Sequence, residues 1–271
     1  MNYVVTDEQL RAIADAIREK GGTSAQLLFP DGFVTAVGAI ETGGGGGGGS
    51  SVDYLGESLA RTLREYENTE LTQLYDNAFS DNLSPISKLR LPNVSILGTR
   101  VFRNCRNATF DELKLSPKLK QIPMYAFENC TNMKAWEIPD SVENIGNYSF
   151  SQATNFKATK LPASIKYIGT DAFYKSGAMF SKIPVGALSI GQRCFAYCSN
   201  MTKLFIPSTV TKIYGSSYAY SIIYSSSVAD IYTDAESAPS GWGTYFNYTA
   251  SNIRATVHYG VSEAEFDAIA S

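Results

Sequence analysis

Few residues in this 271-residue chain have the types and spacing that support chemistry. His258 is the single histidine, so a two-histidine metal site or a histidine-activated nucleophile has little to build on. The four cysteines, Cys105, Cys130, Cys194 and Cys198, miss metal-ligand spacing, because only the last two are close and no second ligand pair accompanies them. Residues 43–49 are consecutive glycines, but no Lys-Ser/Thr follows and no strand and helix frame them, so they make no phosphate loop. Carboxylates are sparse through the middle of the chain: Asp111, Glu112, Glu128, Glu137, Asp140, Glu143 and Asp171. Glycoside hydrolysis needs two of them held roughly 5–10 Å apart across a cleft, and Glu137 with Glu143 is the pair spaced to try it. The expectation is a protein that is not an enzyme, with no catalytic residue, metal or cofactor.

Binding chemistry is better represented. Residues 86–212 carry 17 Lys/Arg against 7 Asp/Glu, a balance of +10 between ends of −8 and −5, so the net −3 hides a basic middle. Such a middle either balances its neighbours or meets an anionic partner. Arg90, Lys114, Glu137, Lys160, Lys182 and Phe205 occupy equivalent places in a recurring apolar-x-apolar pattern. Strands stacked about 4.8 Å apart would align them in one outward column, a basic stripe with no compensating ladder of acids. The competing explanation is that exposed strand positions simply take long soluble side chains. A second surface is the run YGSSYAYSIIYSSS at 214–227, with Tyr218, Tyr220 and Tyr224, followed by Trp242. Tyrosine gives contact area at low entropic cost and serine gives adaptability, although aromatic side chains also seal the end of a stack.

Seven Asn-x-Ser/Thr sequons occur, at Asn82, Asn93, Asn107, Asn129, Asn147, Asn200 and Asn247. Asparagine makes turns by bonding its own backbone, and the structural role is expected here.

The elements that position these residues repeat. Aromatic residues recur at Phe79, Phe102, Phe127, Phe150, Phe173, Phe195 and Tyr218, with spacings of 23, 25, 23, 23, 22 and 23. Prolines keep step at 92, 117, 139, 162, 184 and 207. A sustained period near 23 is the mark of a solenoid. The unit reads apolar-x-apolar-Pro, then Ile-Gly, then Ala-Phe-x-x-Cys, as in KLPASIKYIGTDAFYKS at 160–176. The first piece has the period of a strand. Proline then turns the chain, Ile-Gly ends a second strand at a bend, and Ala-Phe-x-x-Cys makes one helical turn with Phe plugging the interior. Three residues after that Phe stand Cys105, Cys130, Ala153, Ser176 and Cys198. All are small, so the cysteines are expected to be core.

This unit resembles the BspA-like leucine-rich repeat, a family typical of bacterial surface and host-interaction proteins. The resemblance covers residues 71–233. It implies a β-rich (α+β) leucine-rich-repeat solenoid of about six repeats of ~23 residues, preceded by a small helical N-terminal module. The N-terminal piece, TDEQLRAIADAIREKGGTS through FPDGFVTAVGAI, is similar to short modules at the front of phage tail and minor structural proteins. The stretch from Ser240 to Phe266 resembles the closing segment of similar repeat proteins.

The expected organisation is a helical attachment module at 1–42, a glycine linker at 43–51, a helical N-terminal cap at 52–78, the solenoid at 79–233 and a C-terminal cap at 234–271. The opening MNYVVTDEQL has neither a basic nor an apolar region of a signal peptide, and no run of about 18 apolar residues spans a membrane. The resemblances together imply a virion protein that attaches to phage structural proteins through residues 1–42 and meets a host cell-surface polymer or protein through its repeats. The short module needs a partner or its own copies, so a homo-oligomer is among the expectations; nucleic acid and membrane partners are not. The competing readings are a bacterial cell-surface or secreted adhesin, which export would mark, and a tail depolymerase, which released sugars would mark.

Overall fold

The computed structural model describes residues 64–270, apart from positions 70 and 135. The expected module at 1–42, the linker at 43–51 and the expected helix up to residue 63 lie outside the described residues.

What is described is a β-solenoid of about eight coils, most with a short second strand and a turn segment, and with a regular first strand only in the early and late coils. The first strands of the early coils, β1 (Glu65–Glu67), β3 (Lys88–Leu91) and β5 (Glu112–Leu115), pair in parallel in the order β1-β3-β5. Those of the late coils, β10 (Lys203–Phe205), β12 (Asp230–Tyr232) and β15 (Thr256–His258), form a second parallel sheet. The second strands are two residues long: β2 (Gln73–Leu74) pairs with β4 (Ile96–Leu97), and β6 (Gln121–Ile122), β7 (Asn144–Ile145), β8 (Tyr167–Ile168), β9 (Ser189–Ile190) and β11 (Lys212–Ile213) make a five-stranded parallel sheet. An antiparallel hairpin, β13 (Tyr248–Ala250) with β14 (Ile253–Arg254), and one helix, α1 (Glu263–Ala270), complete the chain.

The apolar periodicity builds this directly. Leu74, Leu97, Ile122, Ile145, Ile168, Ile190 and Ile213 are all buried, one per coil, at the inward position of the second strand. The phenylalanines stack along the axis: Phe79–Phe102, Phe102–Phe127, Phe127–Phe150, Phe150–Phe173 and Phe173–Phe195 have ring centroids 5.3, 5.1, 5.3, 5.3 and 5.8 Å apart. Each ring therefore buries its two faces against neighbouring coils.

Three expectations about the elements are corrected. Residues 65–78 are not part of a helical cap but form a further coil, with Tyr66 in register with Leu89; alternation around Tyr66 lets a neighbouring strand recruit a segment too short to hold a helix alone. The Ala-Phe-x-x-Cys segment is no helical turn. Its N–H groups alternate between two destinations: those of Tyr148, Phe150 and Gln152 donate to Thr170, Ala172 and Tyr174 of the next coil, while those of Ser149, Ser151 and Ala153 close four-residue turns within the coil. Finally, the glycine after the second strand, expected to allow an abrupt bend, serves close approach between coils. A Cβ on Gly169 would lie 2.6 Å from the backbone nitrogen of Asn147, so only hydrogen leaves room for the adjacent coil.

The aromatic period also ends differently. Ile223, not Tyr218, takes the interior place after Phe195: it is fully buried, and the coil bonds of Phe195 and Tyr197 go to Ile222 and Tyr224. Inserted residues form a short 3-10 helix, Tyr218–Tyr220, that leaves the stack and returns.

Candidate binding surfaces

The alternating hydrogen bonds of the turn segment dictate its backbone. Residues two before and two after each interior Phe adopt left-handed φ although none is glycine: Asn77, Arg100, Tyr125, Tyr148, Asp171 and Arg193 on one side, and Asp81, Asn104, Asn129, Gln152, Lys175 and Tyr197 on the other. Asn and Asp tolerate this region, whereas for larger side chains it costs roughly 1–2 kcal/mol each. The cost is imposed by the ladder, and its result is two rows of side chains on one face at the coil spacing, of which Asp171 alone is buried.

At the early coils these rows are polar. The Asn104 side-chain amide donates to Asp81 at 2.7 Å and that of Asn129 to Asn104 at 2.9 Å; the first of these bonds holds the Asp81 carboxyl below its usual range. Further along they become aromatic and cationic. The Arg100 guanidinium lies 5.0 Å from the Tyr125 ring, which stacks on Tyr148 at 4.9 Å and 14°. Lys175 lies 5.3 Å from Tyr174 and 5.1 Å from Tyr197, and Arg193 lies 5.3 Å from Tyr174 and 5.4 Å from Tyr220. Tyr197 meets Tyr224 at 5.7 Å, and Tyr224 meets Tyr218 at 6.3 Å. Each cation–π contact at such a site is worth about 0.5–1 kcal/mol. Below the rows, the fully buried Asp171 carboxylate accepts from Arg193 at 2.7 Å. Burial and that carboxylate together push the Tyr148 hydroxyl up.

The predicted tyrosines thus belong to a larger surface. Tyr218 and Tyr220 are exposed and Tyr224 half-buried, and they close a row that begins at Arg100. Sequence reasoning missed Tyr125, Tyr148, Tyr174 and Tyr197. The signal was present as their fixed offsets of −2, +1 and +2 from the interior Phe. Trp242 does not belong to it: it is buried, donates its indole N–H to the Val210 carbonyl at 2.7 Å and packs against Phe246. It seals the stack.

The predicted basic stripe is only partly in register and is not bare. Arg90 aligns with Lys114, and Lys182 with Phe205, but no strand is formed around Glu137 or Lys160. In the early coils Glu65, Lys88 and Glu112 make one column and Glu67, Arg90 and Lys114 the next. The first column alternates in charge, the second sets two cations beside Glu67, and the charges pair within and across columns: Lys88–Glu65 at 2.8 Å, Arg90–Glu67 at 3.3 Å, Arg90–Glu112 at 2.5 Å and Lys114–Glu112 at 2.8 Å. Arg90 above all holds the Glu112 carboxyl down at about 2. The compensating acids, expected to be missing, are Glu67 in the same column and Glu112 in the next. Lys182 is paired with Glu263 and Asp267. Among the described residues, Glu137 and Lys160 are exposed and have no ion-pair partner. Phe205 points outward yet is 1% exposed, because Phe266 of α1 covers it.

The remaining candidates are structural. Cys105, Cys130 and Cys198 are buried free thiols that donate to the carbonyls of Phe79, Phe102 and Phe173, one coil back, at 2.9, 3.0 and 3.0 Å. Burial pushes the Cys198 thiol up to about 11, which keeps it protonated and unreactive. All seven sequon asparagines hydrogen-bond within the fold, four of them to backbone carbonyls of neighbouring coils or segments: Asn93, Asn107, Asn200 and Asn247. Glu143 is held by Lys120 at 2.7 Å on the second-strand face, away from the first-strand segment that carries Glu137.

The family model described as BspA type leucine rich repeat region matches in six copies, over residues 68–186 and 120–237. No curated protein matches at a significant level. Among solved structures, the chain is similar to a leucine-rich cell-surface protein from Faecalibacterium prausnitzii, with 15% identity, a TM-score of 0.41 and 68% of each chain covered. It is also similar to a leucine-rich repeat protein from Bacteroides ovatus, with 14% identity and a TM-score of 0.40, covering 74% of this chain and 64% of that one.

Proposed function

The chain belongs to the BspA-type leucine-rich-repeat family, and from that premise we propose that it is a non-enzymatic recognition protein of a bacterial cell surface whose turn face holds the ligand. The observation that carries this reading is the row Arg100, Tyr125, Tyr148, Tyr174, Lys175, Arg193 and Tyr197, continued by Tyr220 and Tyr224. Its rings and cations already hold one another, so little side-chain entropy is left to lose on binding. Phenolic hydroxyls and cations repeated at the coil spacing suit an elongated polar partner, a surface polysaccharide or an extended protein segment. The non-enzymatic part rests on the carboxylates: Asp111, Glu112, Glu128, Glu143 and Asp171 are all engaged in ion pairs. Attachment to a phage particle would rest on residues 1–42, outside the described residues.

Binding of the purified chain to a glycan array and to immobilised cell-wall polymers tests the proposal. The triple variant Tyr125→Ala, Tyr148→Ala, Tyr197→Ala is expected to lose at least tenfold in affinity. Unchanged binding by a folded triple variant sinks the turn face as the site, and sugar release from any of these polymers sinks the non-enzymatic reading.

A further inference from the structure

Among the described residues, outward positions of the first-strand face are aromatic in its late coils. Phe205 and Tyr232 are adjacent partners in the β10–β12 pair, and the next residue in that row is His258. Tyr232 stacks on the His258 ring at 4.5 Å and 12°, and His258 is held by Asp230 at 2.9 Å. Two lysines border this floor, Lys182 on the coil before and Lys203 at the start of β10.

What fills the place is α1, eight residues long and carrying Glu263, Glu265 and Asp267 with no basic residue. Phe266 sits on the floor, 5.6 Å from the Phe205 ring and 5.3 Å from that of Tyr232, fully buried. Glu263 and Asp267, one turn apart, clasp Lys182 at 2.8 and 2.9 Å, and the Lys203 ammonium donates to the Ile269 carbonyl at 3.1 Å. Ser262 and Glu265 cap the helix reciprocally, each accepting from the other's backbone N–H. A helix this short does not stand by itself in water; the socket holds it.

We infer that this socket is a docking site for an acidic helical segment of a partner protein, bearing an aromatic residue between two carboxylates one turn apart, and that α1 occupies it in cis as an internal competitor. Charge and shape are both specific. The acids on Lys182 come from α1 alone among the described residues, so its removal leaves Lys182 and Lys203 bordering a floor of Phe205, Tyr232 and His258. An apolar helix face laid into an apolar groove with flanking cations is an established recognition mode. A tethered occupant has an effective concentration in the millimolar range, which keeps weak partners out and admits only a segment that binds better than α1 or meets a chain whose α1 is unseated. This site is separate from the turn face and does not depend on it.

The test uses the full chain with Phe266→Asp, which unseats α1 without altering the socket, and a labelled synthetic peptide of residues 261–271 as probe. Fluorescence anisotropy is expected to show at least tenfold tighter binding to Phe266→Asp than to the parent, lost again when Lys182→Glu and Lys203→Glu are added. Equal binding to parent and variant, or no binding to a variant whose solenoid still melts cooperatively, overturns the proposal. So does poly-glutamate binding as tightly as the peptide, which would make the socket a plain polyanion site. Should Phe266→Asp fail to fold, the full chain with Glu263→Gln, Asp267→Asn and Phe266→Ala replaces it with the same expectations.

Discussion

The turn face and the first-strand face run the same length of the same solenoid and are built on opposite terms. The turn face keeps its inter-coil hydrogen bonds at every step from Asn77 to Tyr197 and accepts unfavourable left-handed φ to do so. The first-strand face gives up regular pairing between Leu115 and Lys203, and its charged columns pair off in solvent. One face is fixed by the backbone, which leaves its outward side chains free to vary. The other contributes its inward leucines and isoleucines to the core and neutralises what it shows.

The sharpest way to break this contrast is in the axis both faces share. Phe150→Ala, in a fully buried ring between Phe127 and Phe173, is expected to destabilise the domain by about 3–5 kcal/mol, and because neighbouring coils are coupled the whole solenoid should melt earlier. A melting temperature within 2 °C of the parent would mean the stack does not carry the fold. Next, Gly169→Ala forces a methyl to within 2.6 Å of the Asn147 nitrogen and is expected to cost about 3 kcal/mol; thermal denaturation reads it, and a neutral outcome would show that adjacent coils can part. Arg193→Gln leaves the buried Asp171 carboxylate without its cation and is expected to cost about 2 kcal/mol, with fast amide exchange appearing first at Asp171–Phe173. On the first-strand face, Lys88→Gln should leave the melting temperature where it was, since exposed pairs add little. A clear loss there would erase the asymmetry.

The smallest effect is in pH. Arg90 and Lys114 depress the Glu112 carboxyl to about 2 from an ordinary 4.5. Its folded value lies below its unfolded one, so the stabilisation is complete above pH 4.5 and is lost as pH falls toward 2. Glu112→Gln should therefore flatten the parent's decline in melting temperature across that window, and parallel curves would show that the pair is without consequence.

The interior was legible in the sequence because it obeys one-dimensional rules. Phe at a period near 23, Ile at the end of the second strand and small residues three beyond Phe are properties of single columns, and the structure places all of them inside. The surface was less legible because it depends on pairs of columns. Arg90 and Lys114 read alone make a basic stripe; read with Glu112, two residues back, they make a neutral lattice. Phe205 read alone is an exposed aromatic, and only the distant α1 explains its burial. Tyr218 fits the period by number, yet the 3-10 insertion hands the interior place to Ile223. The left-handed rows were hard to see because Arg, Tyr, Gln and Lys share them with Asn and Asp, and only Asn and Asp signal that region.

The turn ladder also sets how the molecule meets force. Its bonds between coils, such as those from Tyr148, Phe150 and Gln152, run along the stacking axis, so tension applied at the two ends pulls each rung open directly instead of shearing many rungs at once. A stretched solenoid of this kind yields one coil at a time, each paying out roughly 75 Å of chain before the next gives way. A solenoid so constructed lengthens under tension in steps, while the coils still folded keep their shape.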